Sequence, residues 1–124
     1  MIENMTPMQR VVTTLSHREP DRVPFFLLPA LQGARELGLS IRQYFSRPEQ
    51  VTEGQCQLQA KFGHDCLYAF YYAALEVEAW GGEVIFRDDG PPNAGLPLIH
   101  QVEDIPHLIP PSIETSPVLQ RVLE

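Results

Sequence analysis

Glu76 and Glu78, with Tyr71 and Tyr72 just before them, form the densest polar and aromatic cluster in this sequence. A carboxylate held near a phenol can orient a polar ligand or accept a proton. Helical spacing at i,i+4 sets Tyr72 and Glu76 on one side and turns Glu78 elsewhere. A solvated helix face with core tyrosines accounts for the same letters. Gln32-Gly33-Ala34-Arg35 is a second candidate, in which Arg35 faces an anionic ligand; a solvated arginine is the alternative. His64-Asp65-Cys66 puts His64 and Cys66 on one face of a strand, a spacing that suits two zinc ligands. Zinc needs at least one more protein ligand, and nothing forces Cys56, on the preceding helix, to face the same way. A buried Cys beside a His at a strand's start is the plainer reading, so no metal site is assigned. Asp88-Asp89-Gly90 lacks the oxygen spacing of an EF-hand and reads as a turn. There is no G-x-G-x-x-G, P-loop, G-x-S-x-G or H-E-x-x-H.

These groups need elements to hold them. Thr6-Pro7-Met8-Gln9 opens a helix with a capping residue, Pro in the first turn and Gln closing a capping box. Met8, Val11, Val12 and Leu15 then share its inner face. Val23 to Leu28 and Asp65 to Phe70 are short apolar runs that read as buried strands. Ser40 to Gln43 is a second capping box, opening a helix that buries Ile41, Tyr44 and Phe45. Pro48 restarts the helix, Val51, Gln55, Leu58 and Phe62 mark its inner face, and Gly63 ends it. Ala73 to Trp80 reads as a helix closed by Gly81-Gly82. Glu83–Phe86 and Pro97–His100 flank a turn-rich stretch and suggest a long-looped hairpin. Seven of the twelve prolines fall between Pro91 and Pro117, which predicts mostly extended connection. Ser116-Pro117 starts another helix only two turns before Glu124, and a helix that short points to a longer parent protein.

Two apolar strands separated by helices read as the first βα units of a parallel, helix-covered α/β sheet. A complete eight-stranded barrel takes roughly 250 residues, so 124 fit its leading part. A charge of −7 and a pI near 5.0 oppose binding to nucleic acid and to anionic membrane surfaces. No apolar run approaches the roughly 20 residues of a membrane helix, and no signal peptide opens the chain. Two cysteines form no disulfide framework, and the cytoplasm is the expected location.

His17-Arg18-Glu19-Pro20-Asp21-Arg22-Val23-Pro24 resembles the opening of the uroporphyrinogen decarboxylase superfamily, where such a stretch leads into the first barrel strand. Gly63-His64-Asp65, then Glu76-Val77-Glu78-Ala79-Trp80-Gly81, Glu83-Val84 and Gly90-Pro91-Pro92, resembles that superfamily's second strand, its E-x-E-A-x-G helix and the hairpin after it. The resemblance implies the N-terminal part of a TIM (β/α)8 barrel. It divides the chain into a leading helix (1–22), two βα units (23–81), hairpin and Pro-rich connection (82–115), and the start of a helix (116–124). One branch of the superfamily decarboxylates a tetrapyrrole without a cofactor; the other moves methyl groups from corrinoids and uses zinc to activate a thiol.

The decarboxylase branch carries an M-R-Q-A-G-R run whose arginines grip substrate carboxylates. The counterpart here is Leu28-Pro29-Ala30-Leu31-Gln32-Gly33-Ala34-Arg35, with Arg35 as a loose match. Its F-S-D-I-L segment corresponds to Phe70-Tyr71-Tyr72-Ala73-Ala74, so Tyr72 stands in the aspartate's place. Without the guanidinium clamp and the carboxylate, the electrostatics that hold a polyanionic tetrapyrrole are missing. The Glu76-x-Glu78-Ala79-x-Gly81 pattern is closer to the methyltransferases. The resemblance therefore implies methyl transfer between a corrinoid and a thiol or similar acceptor in the parent. Zinc and a corrinoid belong to that parent, with no cofactor within these residues. A true decarboxylase and a non-catalytic ligand-binding or interaction module are the alternatives. Gln32, Arg35, Tyr71, Tyr72 and Glu76 are the ligand-binding candidates, a small molecule or a corrinoid protein is the expected substrate, and strand edges left unpaired predict a homo-oligomer.

Overall fold

The computed structural model describes residues 4–69 and 71–124. In chain order it contains α1 (Pro7–Leu15), α2 (Gln32–Glu36), α3 (Ile41–Tyr44), α4 (Pro48–Phe62), α5 (Leu75–Ala79), β1 (Val84–Ile85), β2 (Asn93–Ala94), a 3-10 helix (Val102–His107) and α6 (Pro117–Leu123). The fold is a mixed one of helices and a small two-stranded sheet that does not close.

Capping chemistry sets the helix starts. At Thr6 and Ser40 the hydroxyl accepts from the N–H three residues on, and the Gln there closes the box from its own side chain. The Ser116 hydroxyl accepts from the Leu119 N–H and caps α6 without a box, and Gly63 ends α4 in the left-handed region at φ 62°. The core lies where α2 and α4 cross. A Cβ on Gly33 would stand 2.3 Å from the Tyr44 hydroxyl, and one on Gly54 would stand 2.9 Å from the Gly33 Cα. Bare backbone at both positions lets the helices close on the fully buried Tyr44 ring, whose hydroxyl donates to the Val51 carbonyl at 3.2 Å. From there aromatic rings run through the interior. Tyr44 meets Phe45 at 5.0 Å between centroids, Phe45 meets Tyr72 at 5.2 Å, and Tyr72 meets Phe86 at 5.5 Å, each near edge-to-face. Arg42 closes this row with its guanidinium carbon 4.3 Å from the centre of the Phe86 ring.

Several expectations change. Val23 to Leu28 forms no strand, and Val23, Phe25, Phe26 and Leu28 are exposed. The second expected strand, over its described residues 65–69, is also irregular; Phe70 lies outside the described residues. One backbone bond joins the two runs, from Asp65 N to Phe25 O at 2.8 Å, and the Asp65 carboxylate takes the Phe25 N–H at 2.7 Å. A side chain occupies the place where a ladder would continue. Two buried strands need neighbours on both edges and both faces, and the described residues supply neither.

The apolar stripe of α1 faces outward: Met8 and Leu15 are 72% and 75% exposed, and the buried residue of this helix is Arg10. Phe62, read as inner, is half exposed beneath Lys61. Helix α5 starts at Leu75, after a turn, and not at Ala73. The hairpin forms, but its second strand is Asn93–Ala94 in place of Pro97–His100, paired Val84 to Ala94 and Ile85 to Asn93. Pro97 brings no N–H to a ladder, so the chain pairs in the Asn93–Gly95 window between prolines. The Pro-rich connection is not wholly extended either. Asp104 accepts from the N–H groups of His100 and Gln101 at 2.9 and 3.1 Å and starts the 3-10 turn.

Candidate functional site

Tyr71 and Tyr72 are both buried, and the turn before α5 aims them in different directions. Tyr71 donates its hydroxyl to the Arg121 carbonyl on α6 at 2.9 Å. Tyr72 donates to the Glu78 carboxylate. The expected pairing of Tyr72 with Glu76 does not form, because Tyr72 precedes the helix and the turn carries it across to the residue six positions on. Glu76 is exposed and, among the described residues, its carboxylate has no hydrogen-bond or ion-pair partner. Burial pushes the Tyr72 phenol well above its ordinary range, and the hydrogen bond and charge of Glu78 push it further, against the pull of Arg121. Burial raises Tyr71 too. Tyr72 is therefore a fixed hydrogen-bond donor at neutral pH, and Glu78 is the carboxylate that its phenol orients.

Gln32 and Arg35 stand apart from this pair. The Gln32 amide donates to Glu36 at 3.2 Å, and Lys61 on α4 clamps the same carboxylate at 2.8 and 2.9 Å. Lys61 first and Gln32 second hold Glu36 below its usual range. Arg35 is exposed. Among the described residues no hydrogen bond or ion pair joins Gln32 or Arg35 to Tyr71, Tyr72 or Glu76. Glu76, Tyr71 and Tyr72 line one shallow cleft of about 300 Å³ with Ala69, Leu75 and Val122.

The strongest polar cluster was not among the sequence candidates. Arg10 donates from Nε to Asp21 Oδ1 at 2.5 Å and from Nη2 to Asp21 Oδ2 at 2.7 Å, while its Nη1 reaches Asp65. Arg22 grips the other side of Asp65 at 2.6 and 3.0 Å and also donates to the Gly63 carbonyl at 3.0 Å. The Asp65 side chain is fully buried, and those of Arg10 and Asp21 nearly so. The hydrogen bond from Arg10 holds the Asp21 carboxyl far below the usual carboxylate range, despite burial. Burial alone would raise Asp65, but the Phe25 N–H, Arg22 and Arg10 together outweigh it and hold it low. Every oxygen of the two carboxylates is occupied, so the cluster fastens α1 and the residue 21–25 stretch to the end of α4 and leaves neither carboxylate free for chemistry. Its sequence signal was present in Asp21-Arg22 and Gly63-His64-Asp65, two stretches that carry charge where apolar runs begin.

His64 and Cys66 do not act together. The His64 ring is fully buried with neither nitrogen hydrogen-bonded, Cys66 is half-buried, and Cys56 is exposed on α4. Among the described residues no three His, Cys, Asp or Glu side chains come together as a metal would require. No helix among them is long and apolar enough to cross a membrane.

Residues 6–124 match the family model described as Uroporphyrinogen decarboxylase (URO-D). No curated protein and no solved structure matches the chain. The two signature stretches meet in space at Asp65, and the match runs from the cap of α1 to the last residue: the chain belongs to the uroporphyrinogen decarboxylase family.

Proposed function

We propose that the chain is the leading part of a TIM-type barrel, divided at residues 22, 81 and 115, in a protein that moves methyl groups between a corrinoid and a thiol or similar acceptor. Exposure of Val23, Phe25, Phe26 and Leu28 supports the barrel reading, since apolar runs of this kind are covered in a closed parallel sheet. One observation favours methyl transfer over tetrapyrrole decarboxylation. At the position where the decarboxylase pattern carries an aspartate, Tyr72 donates its phenol to Glu78 of the E-x-E-A-x-G helix. Arg35 is the only arginine in the Leu28–Arg35 run, against the arginine clamp that a polyanionic tetrapyrrole needs.

In this reading Gln32, Arg35, Tyr71, Tyr72 and Glu76 contact the small-molecule or corrinoid-protein substrate. Among the described residues the cysteines and histidines do not converge on a zinc site, and in this reading the metal that activates the thiol is held by other residues of the parent. A cytoplasmic, self-associating protein completes the proposal.

The test uses the protein encoded by the complete reading frame, supplied with methylcobalamin and a small thiol, and in parallel with uroporphyrinogen. Thiol-dependent loss of methylcobalamin absorbance is the expected result. Decarboxylation of the tetrapyrrole overturns the reading in favour of the other branch, and neither activity favours the non-catalytic module.

A further inference from the structure

A second cleft, of about 540 Å³, opens between α5, the hairpin and the residues after it. Its walls are Trp80, Leu96, Leu98, Ile99 and Leu108, and Glu76 is the one ionisable residue that lines it. Close backbone approach builds these walls. A Cβ on Gly82 would stand 2.5 Å from Val77 Cγ1 and 3.1 Å from Leu98 Cδ1, so bare backbone there seats Leu98 against the end of α5. Glu83 on the hairpin accepts from the Leu96 N–H at 3.3 Å and so holds the far wall in place. Trp80 and Leu96 are 39% and 76% exposed, so the apolar lining is open to a ligand.

We infer that this cleft binds a small cationic amphiphile, an apolar chain or ring laid against Trp80 and the leucines with an ammonium group paired to Glu76. The volume falls within the range of about 300–1,000 Å³ common for small-molecule sites, and an apolar lining with one placed polar group is their usual chemistry. Charge selects the ligand class. The Glu76 carboxylate has no partner among the described residues, and the chain carries −7, so an anion meets repulsion at the mouth. A neutral apolar body would strip water from the Glu76 carboxylate and return nothing to it. A cation restores that interaction and also gains from the indole face beside it. The inference shares Glu76 with the substrate contacts proposed above but needs neither a corrinoid nor a thiol, so the binding test below fails or succeeds separately from methyl transfer.

Trp80 is the only tryptophan, so its emission reports this cleft alone. The full chain is titrated with 4-phenylbutylammonium, with the isosteric alcohol 4-phenylbutan-1-ol, and with 5-phenylpentanoate, exciting at a wavelength the probes do not absorb. The ammonium should shift Trp80 emission saturably and bind about tenfold more tightly than the alcohol, with the carboxylate weakest. Glu76→Gln, an exposed change checked for native circular dichroism, should abolish the preference for the ammonium over the alcohol; Glu103→Gln, on the 3-10 helix, should preserve it. Equal binding of all three probes overturns the inference, as does the absence of a saturable shift. An emission shift that depends on protein concentration alone also overturns it, because a second copy would then cover the cleft.

Discussion

Two regions of this chain are held together by opposite means. Around the α2–α4 crossing, rings and methyl groups pack against bare backbone, with Tyr44, Phe45 and Leu58 fully buried. Around Asp65, two guanidinium groups and two carboxylates do the joining while the apolar residues beside them, Val23 at 82% exposure among them, face outward. The first region behaves as a core, stable wherever apolar surface is disfavoured in water. The second is a fastening whose strength depends on the protonation of Asp21 and Asp65, and its geometry fixes the start of each apolar run without burying the run itself.

Acidification should separate the two most widely. Both carboxylates have folded-state values below their unfolded value of about 3.9, so their stabilisation is complete above that pH and is lost as pH falls through the lower folded values. As pH falls below about 4, protection of the Met5, Arg22 and Phe25 amides should be lost before the near-ultraviolet signal of the tyrosines is. Simultaneous loss in an acid titration followed by both probes would erase the distinction.

Phe45→Ala strikes the other region. The ring is fully buried against Tyr44, Tyr71 and Tyr72, so its removal should cost about 3–5 kcal/mol in urea unfolding. A loss below about 1 kcal/mol would show that the aromatic row is not the core. Gly33→Ala is a finer probe. The added methyl would meet the Tyr44 hydroxyl and ring carbon at 2.3 and 2.7 Å, and the buried ring has nowhere to retreat. The expected cost is about 1–3 kcal/mol by the same measurement, and a neutral result would mean that the helices cross less closely than described.

The contrast also marks where reading the letters succeeds. Helix starts were legible at Thr6, Ser40 and Ser116 because capping is local: a hydroxyl and an N–H three residues on suffice, and at Thr6 and Ser40 a glutamine there closes the box. The inner faces of α3 and of α4 from Val51 to Leu58 were legible because their burial follows a helical period, while Phe62 at the end of α4 departs from it. The α1 stripe misled because burial there is decided by one arginine bonded to carboxylates 11 and 55 positions away, which no periodicity encodes. The two expected strands failed for a related reason: apolar runs state that a strand is possible, while partners elsewhere decide whether it forms. At the candidate site, Tyr71 and Tyr72 were picked out by type, but the carboxylate that meets Tyr72 was Glu78, since a two-residue turn reset the helical register. The Asp21-Arg22 and Gly63-His64-Asp65 stretches carried a family resemblance before they carried a physical role, and that role is to bind each other.

Residue-resolved hydrogen exchange at neutral pH on the chain and on its Asp65→Asn variant tests the division most directly. Asparagine keeps the shape of the side chain but leaves Arg10 and Arg22 facing a neutral amide. The account predicts that protection of the Phe25 amide falls at least tenfold, while the amides of α4 from Val51 to Leu58 keep theirs. Uniform loss across both regions, or unchanged protection at Phe25, would contradict it.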